Sequence, residues 1–246
     1  MISLIGKRAL VTGGSRGIGA AIARALAENG ADVALTFQHS KEQAQAVVTL
    51  IEKMGRRATA IQADAAEPAA IKRSVDEAVR VLGGLDILVN NAAIALYDTI
   101  AGFKVQDIDT LLAVNVRGPV LATQAALPHL GKGSRVITIG SAGADRIVGA
   151  TGTVYYMTKA ALQSFTRGLA HELGPRDITA NLVQPGSTDT DMNPADGEFS
   201  DFQRGLIPLG RFGTPEDVAA TVAFLASPAA RQITGSIVNV DGGMLA

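Results

Sequence analysis

The chain contains no cysteine and no tryptophan, and only three histidines. Without thiols it forms no disulfide and no thiolate site, a composition compatible with a reducing compartment. Neither charge sign is in excess: 22 Lys and Arg stand against 23 Asp and Glu, a formal net charge of −1. That balance removes the electrostatic basis for a nucleic-acid or membrane-surface binder. No apolar run approaches the ~18 residues that mark a bilayer-crossing helix. The opening MISLIGKRALVTGG lacks a charged-then-apolar signal pattern. The expectation is a soluble cytoplasmic protein with no nucleic-acid, membrane or metal partner.

Hydrophobic residues are plentiful, 47% of 246, enough for a substantial core without staples. Short β-branched runs at 9–12, 32–37, 58–62, 85–90, 135–140, 178–183 and 237–240 alternate with amphipathic stretches at about 17–29, 41–54, 68–82, 106–130, 153–173 and 214–226. In the second of these, Ala44, Val47, Val48, Ile51 and Met54 form one apolar stripe, closed by Gly55. Such alternation predicts an α/β fold: a single doubly wound domain of Rossmann type, its seven parallel strands covered by helices on both faces. No linker or repeat divides the chain. The stretch 187–213, with Pro194, Gly197, Gly205, Pro208 and Gly210, is too long for a plain connection and is expected to be a flap over a site.

The first strand runs into TGGSRGIG, residues 12–19, and then into an alanine-rich helix. Gly13, Gly17 and Gly19 let the backbone turn tightly and approach a pyrophosphate, while the amides of Ser15, Arg16 and Ile18 lie at a helix start that favours an anion. The spacing departs from G-x-G-x-x-G but serves the same physics. Gly13–Gly17 also spells G-x-S-x-G, a hydrolase nucleophile elbow with Ser15 as nucleophile. That alternative needs a late histidine, and His39, His129 and His171 leave none in the last 75 residues. Such an elbow also normally follows several strands, not the first.

Units of this kind that bind NAD place an acid at the end of the second strand, on the adenosine ribose. Here Phe37-Gln38-His39-Ser40 has no carboxylate to repel a 2′-phosphate, which Arg16, Ser40 and Lys41 could receive. The expected cofactor is NADP(H); the alternative reading leaves Arg16 and Lys41 merely solvated.

Residues 154–159 read VYYMTK, and either tyrosine could serve as an acid. Side chains four apart share a helix face, and Tyr155 lies four before Lys159, whereas four after Tyr156 comes Ala160. These motifs, with Asp64, NNAA at 90–93, Asn115, Ser141, Gln184-Pro185-Gly186 and the ending ITGSIVNVDGG, resemble the short-chain dehydrogenase/reductases over essentially the whole chain. Among them the chain is most similar to the 3-oxoacyl-[acyl-carrier-protein] reductases.

The resemblance implies hydride transfer between a nicotinamide and a small-molecule or acyl-carrier-bound ketone. Tyr155 would be the general acid, with Lys159 and the oxidised nicotinamide ring lowering a phenol pKa that is otherwise near ~10. Lys159 would also hold the nicotinamide ribose, Ser141 would donate to the substrate oxygen, and Asn115 would anchor a water relaying protons to Lys159. Asp64 would meet the adenine and Asn91 the ribose side. The amides after Pro185 and Gly186, with Thr188 and Thr190, would hold the carboxamide and phosphates. Lys132 and Arg176 fall where carrier-docking residues tend to lie, and a homotetramer is implied. Two departures stand out: Ala93 replaces a usual glycine, and Ser141 lies fourteen residues before Tyr155, one more than is common.

Overall fold

A computed structural model describes residues 2–246. Seven strands, β1 (Arg8–Val11), β2 (Asp32–Phe37), β3 (Ala58–Gln62), β4 (Ile87–Asn90), β5 (Arg135–Ile139), β6 (Thr179–Pro185) and β7 (Ile237–Val240), form one sheet in the order β3-β2-β1-β4-β5-β6-β7, every pair parallel. Parallel pairing needs crossovers. They are supplied by α1 (Gly17–Glu28), α2 (Lys41–Lys53), α3 (Pro68–Leu82), α4 (Val105–Leu112), α5 (Gly118–Ala126), α6 (Thr153–Leu173), α7 (Ser200–Gly205) and α8 (Pro215–Ala226).

Alternation along the strands builds two cores. Ala9, Val11, Val33, Leu35, Ile87 and Val89 face one way and pack under α1, α2 and α8. Leu10, Ala34, Leu88 and Val136 face the other way, under α3, α5 and α6. Because both faces are covered, the strands read as continuous apolar runs, not as alternating polar and apolar residues. Leu10, Leu35 and Leu88 are fully buried, so truncating any of them to alanine removes about 2–5 kcal/mol. Among the described residues no helix is long and apolar enough to cross a membrane.

The single helix expected over 106–130 is three pieces. Between α4 and α5 the chain widens into a π-helical segment, Ala113–Arg117. Pro119 has no N–H, so the α-helical bond that residue 119 owes to the carbonyl of Asn115 cannot form. The helix also stops at Ala126, four residues early, and the 187–213 segment carries the unforeseen short helix α7. Ala93 is accommodated without strain, since Asp177 is the one non-glycine residue with positive φ among those described.

Candidate active site

The loops leaving the C-terminal ends of β1, β4, β5 and β6 on either side of the strand-order reversal form one crevice, the place where open α/β sheets bind ligands. At the end of β1, Gly13 has φ of +64° and an added Cβ would lie 2.9 Å from the Ala92 Cα. At Gly19 a Cβ would overlap the Gly13 carbonyl oxygen and come within 2.5 Å of the Asn91 Nδ2. The Asn91 amide itself donates to the carbonyls of Thr12 (2.9 Å) and Gly13 (3.0 Å), bracing the turn. The Thr36 hydroxyl accepts from Gly13 N at 3.0 Å. The turn is thus held tight by β2 and β4, with Ser15 buried and Ile18 packed on the core behind it.

Along the rim, Gln38 and His39 are exposed, and the Ser40 hydroxyl at the start of α2 makes no capping bond. No carboxylate stands at this strand end, and a cradle that only glycine backbone fits lies beside it. The residues present fit a dinucleotide bearing a 2′-phosphate. Asp64 accepts from Ala66 N at 2.8 Å in a local turn after β3. Arg16 instead reaches across the crevice to Asp191 of the 187–213 segment. From that segment Thr190 packs near Gly17, and the buried Thr188 donates to the Gly186 carbonyl at 3.1 Å. Pro185 ends β6, and Gly186 is pressed against Asp241, 2.7 Å from where a Cβ would sit to its Cα.

On α6, Tyr155 and Lys159 lie one helical turn apart, both buried. Ser141, leaving β5 with an extended backbone, accepts from Gly143 N at 3.1 Å, and its hydroxyl lies near enough to the Tyr155 phenol to favour the phenolate. Lys159 Nζ donates to the Ile139 carbonyl at 3.1 Å and lies 6.0 Å from the centre of the Tyr155 ring. Asn115, in the π-helical segment, is locked by its side chain: Oδ1 accepts from Ile94 N (3.0 Å), and Nδ2 donates to Ile94 O (2.9 Å) and Thr158 Oγ1 (3.1 Å). It thereby ties the loop after β4 to the helix that carries Tyr155.

The electrostatics differ from the sequence expectation in one respect. Burial pushes the Tyr155 phenol above its ordinary pKa, the Tyr97 and Tyr156 phenols add to the rise, and the opposing influence is the Ser141 hydrogen bond, not Lys159. The ammonium points at a backbone carbonyl and is itself lowered to about 8 by burial. Within the chain alone, loss of hydration wins over the attraction of one cation.

Tyr156 has a different environment. Its ring fills the space over Gly143 and Gly152, where a Cβ at either would overlap it, and its hydroxyl donates to Val148 O at 3.3 Å. It locks the 142–152 loop. Sequence reasoning missed Tyr97, whose ring meets that of Tyr155 at 5.6 Å, tilted by 58°. No periodicity marks that loop residue. It also missed Asp191, whose only signal was its place in the suspected flap.

Comparison with known proteins agrees with this geometry. Residues 13–245 match a family described as Enoyl-(Acyl carrier protein) reductase. A short-chain dehydrogenase from Burkholderia cenocepacia, solved in complex with NADP, superposes with a TM-score of 0.98 at 54% identity, covering 99% of both chains. The cyclic-di-GMP-binding biofilm dispersal mediator protein of Escherichia coli is 42% identical over 98% of each chain. A 3-oxoacyl-[acyl-carrier-protein] reductase of Staphylococcus aureus is 41% identical over 97% of this chain and 98% of its own. With the likeness running through both the glycine turn and the Tyr155 helix, the chain belongs to the short-chain dehydrogenase/reductase family of oxidoreductases.

Proposed function

We propose that this oxidoreductase is an NADP(H)-dependent carbonyl reductase in which Tyr155 delivers the proton. The observation that supports the reading is that Tyr155 and Lys159 lie buried one turn apart on α6, with Ser141 beside the phenol. Gly13, Ser15, Arg16, Gly17, Ile18 and Gly19 hold the pyrophosphate side of the dinucleotide. Ser40 and Arg16 receive the 2′-phosphate, Asp64 the adenine, and Pro185, Gly186, Thr188 and Thr190 the nicotinamide end. The solved Burkholderia relative, in complex with NADP, supports the choice of dinucleotide.

Bound NADPH supplies the hydride for the carbonyl carbon. The Ser141 hydroxyl donates to the carbonyl oxygen, orienting it and supporting the charge that develops there. Tyr155 then gives its proton to that oxygen. Burial holds the phenol protonated at neutral pH, the form an acid needs before reduction. Lys159, with a pKa of about 8, is mostly ammonium at pH 7, and its charge stabilises the phenolate until a proton returns from solvent. Asn115 positions the Ile94 loop against Tyr155 and its helix.

The 187–213 segment, which meets the turn at Gly17 and Arg16, is the flap over the substrate. Exposed Leu112 and Val120 on α4 and α5 and Met157 on α6 supply apolar surface for a homotetramer. The substrate is a small or acyl ketone, and the Staphylococcus aureus relative favours a 3-oxoacyl thioester. Arg176 Nη2 donates to the carbonyls of Leu127 and Leu130 at 2.9 and 2.6 Å, which fixes the guanidinium at the end of α5. The Escherichia coli relative favours a second reading, a nucleotide-binding regulator without catalysis. The two are separated by mixing NADPH with β-ketoacyl thioesters and cyclic or α-diketones and following absorbance. Turnover of any of these supports the reductase; intact NADPH binding with no turnover across the panel supports the regulator.

A further inference from the structure

The 187–213 segment touches the glycine turn at two adjacent points. Thr190 and Asn193 close a tight turn on each other, with Asn193 N donating to Thr190 O at 3.0 Å, and this turn projects Asp191. The Thr190 methyl lies 3.5 Å from where a Cβ on Gly17 would sit, so its side chain stands over the turn there. One residue on, Arg16 Nη1 donates to Asp191 Oδ2 at 3.3 Å, the one side-chain hydrogen bond of Arg16 among the described residues. The nearby Asp189 is occupied elsewhere, accepting from Ala195 N at 2.9 Å. Both partners of the ion pair keep most of their surface in water, 60% for Arg16 and 73% for Asp191. Such a pair is weak and exchangeable.

Arg16 therefore has two claimants. A 2′-phosphate carries up to about two negative charges and three acceptor oxygens, and a guanidinium fork binds it more strongly than it binds one exposed carboxylate. A dinucleotide without that phosphate meets only the Arg16 backbone amide and makes no claim on its guanidinium. On the basis of the NADP(H) reading above, we infer that Asp191 competes with the 2′-phosphate for Arg16, lowering selectivity for NADP(H) over NAD(H). By reciprocity, a 2′-phosphorylated adenine nucleotide loosens the tether between this segment and the turn as much as the tether weakens the nucleotide.

The test is a double-mutant cycle in cofactor binding, read by quenching or transfer of protein and nicotinamide fluorescence. NADPH and NADH are titrated into the wild type, Asp191→Asn, Arg16→Ala and the double variant at low salt and at high salt. The expected result is that Asp191→Asn tightens NADPH about two- to fivefold, the size of an exposed ion pair, and leaves NADH unchanged. The gain shrinks in high salt, which screens exposed charges, and disappears when Arg16 is alanine. A shift of NADPH and NADH together overturns the inference, since it marks a general loosening of the segment. An equal gain in the Arg16→Ala background overturns it as well, since it marks plain repulsion with no contest for the guanidinium. A wild type that binds NADH as tightly as NADPH contradicts the cofactor reading alone, because the competition is read from the change on substitution.

Discussion

Lys159→Met keeps the length of the side chain and removes its charge, and the consequence for stability follows from how the amine is buried. Lys159 is 4% exposed, and its ammonium has the Ile139 carbonyl as partner and, among the described residues, no carboxylate in an ion pair. Burial takes its pKa from 10.5 to about 8. At about 1.4 kcal/mol per pH unit, holding the charged form inside the fold costs about 3 kcal/mol. Methionine avoids that cost but leaves the Ile139 carbonyl without its donor, a loss of about 1 kcal/mol. The variant is then about 2 kcal/mol more stable at pH 7, a rise in Tm of about 4–8 °C for a chain of this size, while carbonyl reduction is lost. The penalty is fully present below pH 8. Between about 8 and 10.5 the unfolded chain binds the proton and the folded one does not, so the wild type gains stability with pH and the advantage of the variant fades. Thermal melts of both proteins at pH 7, 9 and 10.5 check this. A variant that melts below the wild type at pH 7, or a difference flat across that range, refutes the burial argument.

Two other predictions concern glycines that something else occupies. Gly19→Ala drives a methyl group into the Gly13 carbonyl and to 2.5 Å from the Asn91 amide, so the turn must open; NADPH affinity falls by at least about tenfold, about 1.4 kcal/mol, in a fluorescence titration, and an unchanged Kd contradicts the cradle. Gly143→Ala overlaps the Tyr156 ring and destabilises by about 1–3 kcal/mol as overpacking does. Combining it with Tyr156→Leu recovers most of that loss in denaturant melts if the ring is the obstacle.

The fold was legible because both sheet faces are covered. Each strand announces itself as a short β-branched run, and all seven fall within a few residues of the observed bounds. The helix over 106–130 was misread because helical periodicity is blind to register. Pro119 was the available warning, and its missing N–H accounts for the π-helical turn that carries Asn115. In the site, local motifs such as the glycine turn and the Tyr155–Lys159 spacing could be read, since their partners lie within a turn or two of chain. Pairings across the crevice, Arg16 with Asp191 and Tyr97 with Tyr155, could not, because they join segments 175 and 58 residues apart with no shared period. The direction of the Tyr155 shift also escaped sequence reasoning, which saw the neighbouring charge but not the depth of burial.

The most direct test of the assignment compares Tyr155→Phe with Tyr156→Phe in single-turnover reduction of a β-ketoacyl thioester or diketone by pre-bound NADPH. The account predicts a rate loss of at least about 10²–10⁴-fold for the first, as for other positioned acids, with NADPH binding retained. Tyr156→Phe loses only the hydroxyl that donates to Val148 and keeps the ring between its glycines, so its rate stays within a few-fold of wild type. Full activity in Tyr155→Phe, or a collapse confined to Tyr156→Phe, would contradict the account at its centre.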